Sequence, residues 1–448
     1  MDRIEPRTLK GFRDFLPQTM MPRETLIETA RRVYRSYGFA PIDTPTLELA
    51  EILTGKGGEE TDRQLYRFRD PGDRDVAMRF DLTVPLARFV AQHANDLGMP
   101  FKRYHIATVW RGESPQEGRY REFMQCDFDT IGSTSIATDI ETALVIYDLM
   151  HAIGFEKFTI RLNNRKLLNG LLAKVDLSAH AVPILRAIDK LSKIGPAGVT
   201  EELKRNTPAT ESQIQQLLEL VATKPGQADV LGKMDRLIAG NELGEAGVGQ
   251  LRAVIDGVKA AGAKAERFTI DVSIARGLDY YTGTIYETLL DELPSIGSVC
   301  SGGRYDNLAK MFTSQELPGV GASLGLDRML AAMEKLGKLP QVQTPAQVMI
   351  VQFDANHLGD YLLLASQIRA AGIGVELYPD AKKLGAQFKY ADRKGFRAVL
   401  IAGADELAKG VVQIKWLADG SQTELSTSNG AAEVIETLRD RAKLNRNL

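Results

Sequence analysis

Arginine, amide and carboxylate side chains are concentrated in residues 110–129, where they could bind an anion and an amine together. Arg111 ends a predicted strand, and Arg119 lies in the polar loop that follows it. Gln125 and Asp129 are four positions apart on the next predicted strand, so the two-residue period of a strand places them on one face. A solvated, salt-bridged hairpin is the alternative interpretation, because surface ion pairs are common.

A second group of chemically useful residues lies in residues 274–286, where Arg276 precedes Tyr280 and Tyr281. If the preceding strand continues this far, Arg276 extends its apolar face. A cation buried there needs either a protein carboxylate or a bound anion as its partner. Beside phosphates, such an arginine could stabilise charge that a metal ion otherwise stabilises. A structural ion pair with Asp279 is the alternative.

Two glycine-rich stretches follow, in residues 300–306 and 319–328. The pair Gly302 and Gly303 permits close approach of another backbone, but alone it predicts only a glycine turn. The second stretch predicts a strand of small residues that leads into a helix, against which a flat ligand could lie. Arg328, one residue into that helix, could then reach a phosphate. A packed core strand is the alternative, since neither stretch matches a P-loop or a dinucleotide-binding motif.

The elements that must position these side chains alternate between strand and helix patterns. Residues 104–111 and 121–131 alternate in polarity around the polar loop 112–119, which predicts an antiparallel hairpin. Residues 23–37 and 139–153 have the apolar spacing of helices. Further strand patterns occupy residues 268–274, 284–290 and 321–326, and a helix pattern begins near residue 327.

The 448 residues predict about three domains of roughly 150 residues each. Residues 1–176 and 267–337 predict an α+β domain built on an antiparallel sheet, and residues 177–266 predict a helical insertion within it. After a linker, residues 346–448 begin with a βαβαβ series, which predicts a small α/β domain with a largely parallel sheet.

Composition excludes several classes of protein. The net charge of −2 means that any nucleic-acid surface must be local. Cys126 and Cys300 are too few for a disulfide framework and lack metal-ligand spacing, which favours a reducing compartment. The sequence shows neither a signal peptide nor a transmembrane run, so we predict a cytoplasmic protein without a membrane partner.

Together these stretches resemble the histidyl-tRNA synthetase family of class II aminoacyl-tRNA synthetases. The resemblance extends from residues 11–17 to the C-terminal domain, which resembles the family's anticodon-binding domain. The most specific segments are Arg-Gly-Leu-Asp-Tyr-Tyr at 276–281 and Ser-Gly-Gly-Arg-Tyr-Asp at 301–306, which resemble the family's two histidine-recognition motifs. The class II motifs 1, 2 and 3 are resembled by residues 36–45, 111–129 and 319–328.

The resemblance implies a role for each matching residue. Catalysis is implied for Arg276 and Arg111. ATP binding is implied for Arg111, Arg119 and Arg328. Histidine binding is implied for Asp81, Leu82, Thr83, Gln125, Asp129, Tyr280, Tyr281 and Tyr305. Contact with tRNA is implied for Gln116, Lys389 and Arg393, the last two in a stretch where basic residues outnumber the single Asp392 and alternate with aromatic ones.

The implied reaction is activation of L-histidine by ATP to histidyl-adenylate, followed by transfer to tRNA(His). The resemblance also implies Mg²⁺, whose ligands it leaves unassigned, and a homodimer. Serine at position 114 stands where many bacterial members carry a basic residue before the Pro-Gln of motif 2. Asp81-Leu82-Thr83 stands in place of the sequence Glu-Gly-Thr. Together these two differences resemble the eukaryote-like branch of the family, so the resemblance does not assign how the acceptor end of the tRNA is recognised.

Two alternatives belong to other functional classes. One is a non-catalytic, synthetase-like regulatory paralogue that binds histidine, but such proteins typically lack the anticodon-binding domain and have lost the arginines. The other is a class II ligase for glycine, threonine or proline. The sequence of residues 276–281 argues against this second alternative, because it resembles a histidine-recognition motif.

Overall fold

The computed structural model describes residues 3–54, 62–221, 229–274, 280–339 and 344–444. The chain divides into two compact units, Met1–Asp14 with Arg23–Leu339 and Phe15–Pro22 with Pro340–Leu448. The predicted fold class, an antiparallel-sheet α+β domain followed by a smaller α/β domain, is confirmed. In the described part of the chain, no helix is both long and apolar enough to cross a membrane.

Up to residue 339, the described strands are β1 (Ala40–Pro41), β2 (Leu47–Leu49), β3 (Arg67–Arg69), β4 (Asp75–Met78), β5 (Phe101–Trp110), β6 (Glu122–Ile131), β7 (Phe158–Asn164), β8 (Phe268–Ile270), β9 (Thr284–Leu290), β10 (Cys300–Tyr305) and β11 (Gly319–Gly325). The described α-helices are α1 (Pro17–Ser36), α2 (Ala50–Leu53), α3 (Thr83–His93), α4 (Ile136–Ile153), α5 (Arg165–Lys174), α6 (Ala181–Asp189), α7 (Leu191–Asn206), α8 (Glu211–Val221), α9 (Val230–Ile238), α10 (Glu242–Ala260) and α11 (Leu326–Lys335).

Eight strands form the central sheet, in the order β1-β5-β6-β11-β10-β9-β7-β8. The pairs β1–β5 and β7–β8 are parallel, and the other neighbours are antiparallel, including the predicted β5–β6 hairpin. Parallel neighbours need a long connection, and helices α5 to α10 provide it between β7 and β8. A separate three-stranded sheet has the order β2-β4-β3.

One face of the central sheet packs on helices. Cys126 and Phe128 on this face of β6 are fully buried beside Tyr34 of α1, whose hydroxyl donates to the carbonyl of Cys126 at 2.8 Å. Cys126 and Cys300 are both buried and free. The predicted helix at 23–37 is confirmed but begins earlier, at Pro17, and the predicted helix at 139–153 begins at Ile136, with Ser135 as its N-cap.

The predicted glycine turn at 301–303 is wrong, because these residues lie within strand β10. The paired glycines serve close packing instead. A Cβ atom on Gly302 would lie 2.1 Å from the carbonyl oxygen of Gly321 on β11. The sequence shows that a glycine is present, but it does not show which neighbouring strand requires the glycine.

The prediction of a strand from 268 to 274 is also too long, since β8 ends at Ile270. The Oδ1 atom of Asp271 accepts from the backbone N–H of Ser273 at 3.0 Å and from its hydroxyl at 2.6 Å. These local hydrogen bonds offer the backbone a turn in place of a strand. Arg276, which the prediction placed on a continuation of this strand, lies outside the described residues.

A buried ion pair joins the sheet to helix α4. Arg304 of β10 donates through Nε to Asp139 at 3.1 Å and also bonds it through Nη2, and both side chains are less than 5% exposed. Arg304 additionally donates to the carbonyl of Ser133 at 3.0 Å. The pair anchors β10 immediately before Tyr305.

Beyond residue 344, the described strands are β12 (Val348–Ile350), β13 (Val375–Leu377), β14 (Ala398–Ile401), β15 (Val411–Trp416) and β16 (Gln422–Ser426). The helices are α12 (Leu358–Ala370), α13 (Leu384–Lys394), α14 (Ala404–Lys409) and α15 (Ser428–Leu444). The sheet order is β13-β12-β14-β15-β16. The first three of these strands are parallel, which confirms the predicted βαβαβ series, and β15 and β16 extend the sheet in antiparallel fashion.

We predict that Asp139→Asn lowers the free energy of unfolding by about 2–4 kcal/mol, because it removes the charge that balances buried Arg304. Urea unfolding measures the change. Asp148→Asn, at an exposed position of the same helix, is the matched control and should cost less than about 1 kcal/mol. Equal losses in the two variants would contradict a special role for the buried pair.

Candidate active site

The second face of the central sheet lines a cavity of about 520 Å³. Strand register explains which residues reach it, because residues directly opposite each other share a face. Asp127 and Asp129 of β6 lie opposite Ser323 and Gly321 of β11, and Ser301 of β10 lies opposite Ser323. All five line the cavity. Its floor is therefore acidic on β6 and made of small residues on the neighbouring strands.

Gly321 is required by the position of Asp129. A Cβ atom on Gly321 would lie 2.2 Å from Oδ1 of Asp129 and 2.2 Å from the carbonyl oxygen of Phe128. The predicted strand of small residues thus makes room for a carboxylate as well as for a ligand.

Asp129 is held by two groups. Its Oδ1 accepts from the hydroxyl of Tyr305 at 2.5 Å. Its Oδ2 lies 2.6 Å from Nη2 of Arg103, an ionic contact without the alignment of a hydrogen bond. Burial raises the pKa of Asp129, and the charge of Arg103 opposes that rise.

Sequence reasoning missed Arg103, whose side chain is fully buried. The signal was present, because Arg103 has the same strand parity as Arg111 and therefore points to the same face. Its Nε and Nη1 have no hydrogen-bond partner among the described residues. The buried charge of Arg103 stabilises the ionised forms of Asp127 and Asp129.

Gln125 and Asp127 present unused acceptor atoms to the cavity. The amide of Gln125 donates to the hydroxyl of Ser323 at 2.9 Å, which leaves its Oε1 without a described partner. Oδ1 of Asp127, a residue only 2% exposed, also lacks one among the residues described. Burial raises the pKa of Asp127 to about 7, reinforced by Asp129 and opposed by Arg103.

Residues 81–83 have three different positions. Asp81 lines the cavity, and its Oδ1 also caps helix α3 by accepting from the backbone N–H groups of Thr83 at 3.1 Å and Val84 at 2.9 Å. Thr83 lines the cavity as well. Leu82 does not: its side chain is fully buried in a small apolar cluster with Ala107 and Val109.

Three tyrosines form an aromatic wall. The ring centroids of Tyr280 lie 5.3 Å from Tyr281 and 5.8 Å from Tyr305, both with edge-to-face geometry. All three rings line the cavity beside Asp129. Burial raises the pKa of each hydroxyl, so all three stay protonated and can donate.

The basic residues lie toward the other end of β6. Arg111 is half-buried between the rings of Phe80 and Phe123, with its guanidinium carbon 4.3 Å and 5.0 Å from their centroids. Arg119 and Arg328 line the cavity. Burial, together with the charges of Arg119 and Arg111, lowers the pKa of Arg328 to about 10. Mutual repulsion of three arginines favours binding of an anion between them.

Asp327 holds the surroundings of this basic end in place. Its Oδ1 lies 2.5 Å from Nη2 of Arg13 and 2.5 Å from Nη1 of Arg23, and its Oδ2 accepts from the backbone N–H of Met124 at 2.8 Å. Arg13 also lies over the ring of Tyr120, 3.1 Å from its centroid. The N-terminal segment therefore braces the loop that carries Arg119.

The remaining predicted residues lie outside the cavity. Gln116 is exposed in the β5–β6 loop, where its backbone pairs with that of Arg119. Lys389 and Arg393 are exposed on α13 of the second unit. The described residues predicted to bind histidine or ATP line the cavity except for Leu82 and Arg111, and Arg111 interacts electrostatically with Asp81 and Tyr280 of its lining.

Two family profiles and several known proteins match most of this chain. The family profile described as histidyl-tRNA synthetase matches residues 11–329, and the profile of an anticodon-binding domain matches residues 347–437. A histidine–tRNA ligase of Rhodopirellula baltica is 57% identical over 432 residues, which cover 96% of this chain and 98% of that protein. One from Wolinella succinogenes is 46% identical over 434 residues, again 96% of this chain and 98% of that protein.

Solved structures give the same picture. The crystal structure of histidyl-tRNA synthetase from Nostoc sp. PCC 7120 superimposes with a TM-score of 0.88 and 38% identity, covering 98% of this chain and all of that one. A structure from Bacillus halodurans, titled as an ATP phosphoribosyltransferase regulatory subunit/histidyl-tRNA synthetase, has a TM-score of 0.74 at 22% identity over 90% of this chain and 100% of that one. At that identity the second likeness shows the fold alone.

We predict that, as the pH rises, the ligand-free Asp127→Asn variant gains stability relative to the ligand-free wild type. A carboxyl with a raised pKa stabilises the fold while protonated, and this contribution is lost between its unfolded value near 4 and its folded value of about 7. His105 across the strand does not titrate in this window, because burial lowers its pKa to about 4. From pH 5 to pH 8, urea unfolding should show the variant gaining about 1–3 kcal/mol over the wild type. A pH-independent difference would show that the carboxyl has an ordinary pKa.

Proposed function

The chain belongs to the histidyl-tRNA synthetase family, and from that premise we propose how its cavity performs the reaction of a histidine–tRNA ligase. The enzyme activates histidine with ATP and transfers it to tRNA. Relatives of nearly full length that are histidine–tRNA ligases favour this catalytic function over the regulatory alternative. The matching C-terminal anticodon-binding domain favours it as well.

The observation that carries the mechanism is the separation of charge along one cavity. Register places Asp127 and Asp129 on β6 opposite Ser323 and Gly321, while Arg328 follows the end of β11, on the side of Gln125. Asp81 and Arg119 line the same cavity. An amino acid is a zwitterion, and ATP is a polyanion. The acidic end therefore suits the ammonium group and imidazole of histidine, and the basic end suits its carboxylate together with the phosphates.

Histidine recognition rests on polar partners for the imidazole. The aromatic wall forms an apolar slot, and Asp129 with its bound Tyr305 lies against that wall. The pair supplies both an acceptor and a hydroxyl to the ring nitrogens. A side chain that lacks such nitrogens would leave these buried groups unpaired, which is the strongest physical basis for rejecting it.

Adenylate formation requires positioning and charge stabilisation. The carboxylate of histidine attacks the α-phosphorus of ATP in line, the bond to the bridging oxygen breaks, and pyrophosphate leaves. Arg111 is packed against Phe80 and Phe123 and donates to the carbonyl of Phe80 at 3.1 Å, so its direction is set before substrates bind. We assign it to the α-phosphate and the carboxylate, Arg328 to the adenine and γ-phosphate side, and Arg119 to a further ATP contact.

Mg²⁺ fits this scheme as a partner of the phosphates. Mg²⁺ is usually held by one or two carboxylates together with substrate phosphates and water. The described residues form no cluster of three or more metal-binding side chains. Glu287 lines the cavity and acts electrostatically on Arg328, so it is the carboxylate placed to share a phosphate-bound ion. When bound, the ion would neutralise phosphate charge.

The second unit is assigned to tRNA. Lys389 and Arg393 are exposed on α13, and the guanidinium of Arg393 lies 6.0 Å from the ring centroid of Tyr390. Exposed cations next to an aromatic ring suit the phosphates and bases of a single-stranded loop. Gln116, exposed beside Arg119, is assigned to the acceptor end of tRNA.

A homodimer is supported by an apolar surface on the three-stranded sheet. Leu47, Leu49 and Phe68 are 42%, 44% and 46% exposed, and strand register places them on the same face. A second copy of the chain would cover this surface. A cytoplasmic location is proposed because it is where a tRNA ligase meets its substrates.

We expect ATP–pyrophosphate exchange that depends on histidine and on none of the other standard amino acids, since the imidazole slot is the selective element. The assay follows incorporation of labelled pyrophosphate into ATP with each amino acid supplied in turn. Exchange driven by another amino acid would overturn the assignment. So would the absence of exchange from protein that circular dichroism shows to be folded.

We also expect Arg276→Ala to lower the rate of exchange at least about 100-fold while the protein stays folded, because a fixed positive charge at the α-phosphate is lost. Histidine affinity, measured by calorimetry, should change much less. Arg252→Ala, which alters a half-exposed arginine of α10 paired with Asp235, is the control. A near-normal rate in Arg276→Ala would remove that residue from the catalytic role.

A further inference from the structure

The N-terminal segment, residues 9–13, contacts the loop that carries Arg119 but has no role in the scheme above. We propose that Arg13 is a positioning residue for ATP, which fixes the direction of Arg119 without contacting the nucleotide itself. Arg13 is not among the residues that line the cavity. The inference rests on the proposed function and deepens it, because it assigns part of the affinity for ATP to a residue outside the cavity.

The first support is the docking of the segment's backbone on the loop. The carbonyl of Gly11 accepts from the backbone N–H of Arg121 at 3.0 Å, and Nη1 of Arg121 donates to the carbonyl of Lys10 at 3.3 Å. Across the loop, Nε of Arg121 donates to the carbonyl of Glu113 at 3.0 Å. The segment therefore binds the residue that joins the two ends of the loop.

Glycine at position 11 is required for this close approach. The φ angle of Gly11 is +87°, in the left-handed region, and a Cβ atom there would lie 2.8 Å from Cγ of Arg121. A side chain at this position would therefore displace either Arg121 or the segment. The residue type is matched to the contact with the loop.

The second support is the pair of side chains that Arg13 contacts. Its guanidinium carbon lies 3.1 Å from the ring centroid of Tyr120, and its Nη2 lies 2.5 Å from Oδ1 of Asp327. Tyr120 directly follows Arg119 in the chain, on the loop. Asp327 directly precedes Arg328, on helix α11. One side chain therefore holds the sequence neighbours of two arginines that we assign to ATP.

Arg119 needs such support more than Arg328 does. The side chain of Arg119 is 41% exposed, and its ion pair with Glu113 is long, at 3.8 Å. Arg328 lies on a helix, and its guanidinium donates to the carbonyl of Ser298. An exposed arginine on a loop loses more conformational entropy when it binds a phosphate, unless neighbouring contacts already fix the loop. The contact of Arg13 with the loop is such a contact.

The structure also indicates that Arg13 can be replaced without loss of the fold. The side chain of Asp327 is 2% exposed, so its charge must be balanced. Nη1 of Arg23 lies 2.5 Å from the same Oδ1 atom and remains when Arg13 is removed. Replacement of Arg13 therefore removes the contact with Tyr120 but leaves the buried carboxylate with a cation.

The experiment measures ATP–pyrophosphate exchange by Arg13→Ala, with ATP and histidine varied in turn. We expect the KM for ATP to rise about 3- to 30-fold, the range for loss of one cation–π contact. The KM for histidine and kcat should stay within about twofold, because only the binding of ATP is weakened. Arg13→Lys, which keeps the charge, should recover part of the affinity for ATP. Arg7→Ala, which alters an exposed arginine just before the segment, is the matched control and should behave as the wild type.

A double-mutant cycle tests whether Arg13 acts through Arg119. Arg119→Ala should raise the KM for ATP by itself. Adding Arg13→Ala should then raise this KM by less than about twofold, since the effects of residues that act through one contact are not additive. Tyr120→Leu, which removes the ring without changing any charge, should reproduce the pattern of Arg13→Ala. It decides the question if circular dichroism shows that Arg13→Ala does not fold.

Three outcomes would overturn the proposal. One is an unchanged KM for ATP in a folded Arg13→Ala or Tyr120→Leu variant. Another is an equal rise in the KM for ATP and for histidine, which would assign Arg13 to the shape of the whole cavity. The third is full additivity with Arg119→Ala, which would show that Arg13 does not act through Arg119.

Failure of this inference can be told apart from failure of the proposed function. Histidine-dependent exchange by the wild-type protein establishes the ligase activity whatever Arg13 does. If the wild type exchanges with histidine and the variants show one of the contrary patterns, only the role of Arg13 is lost. If the wild type shows no such exchange, the proposed function fails and this inference fails with it.

Discussion

The active-site end of this molecule depends on one buried charge. Arg103 lies within the sheet with its side chain fully buried, opposite Asp129 in the β5–β6 register and close enough to Asp127 to stabilise its ionised form. Carboxylates cannot be carried into such surroundings without a compensating cation. Arg103 therefore allows an acidic floor to exist on β6. Because one arginine serves two acids, the described part of this floor carries more negative than positive charge, and we propose that the ammonium group of a zwitterionic ligand binds against it.

The same need for space explains the glycines of the neighbouring strands. Acids that point into the cavity from β6 crowd β11, and Gly321 is the residue that admits Asp129. Strands β10 and β11 leave even less space for a side chain, since a Cβ atom on Gly302 would clash with the backbone of Gly321. Small residues, acids and the buried arginine thus pack together across the four strands β5, β6, β11 and β10. Each residue type follows from the position of its neighbour on the next strand.

This dependence between strands marks the limit of what could be predicted from the sequence. Alternating polarity was enough to predict the β5–β6 hairpin and to place Gln125 and Asp129 on one face, and the resemblance added the roles of the arginines. The glycine pair at 302–303 was predicted as a turn, because its reason lies in β11, which is distant in the chain. The strand predicted to reach residue 274 ends at Ile270 because the side chain of Asp271 competes for the backbone. The parity of Arg103 with Arg111 indicated the face to which its side chain points, but it did not indicate how deeply that side chain is buried.

At the basic end the arrangement is reversed, because one carboxylate, that of Asp327, contacts two arginines. Asp327 binds Arg13 and Arg23 and also holds the backbone of Met124, one residue before Gln125. It therefore links the N-terminal segment, helix α1, strand β6 and the helix of Arg328. At the acidic end an arginine supports the carboxylates that we assign to a ligand cation, and at the basic end a carboxylate supports the surroundings of the arginines that we assign to anions. Because Met124 and Gln125 are adjacent, the two ends share strand β6 as a rigid spacer. We therefore expect strand geometry to set the distance between the proposed ammonium and phosphate sites, so that one cavity can hold histidine and ATP in the alignment that in-line attack requires.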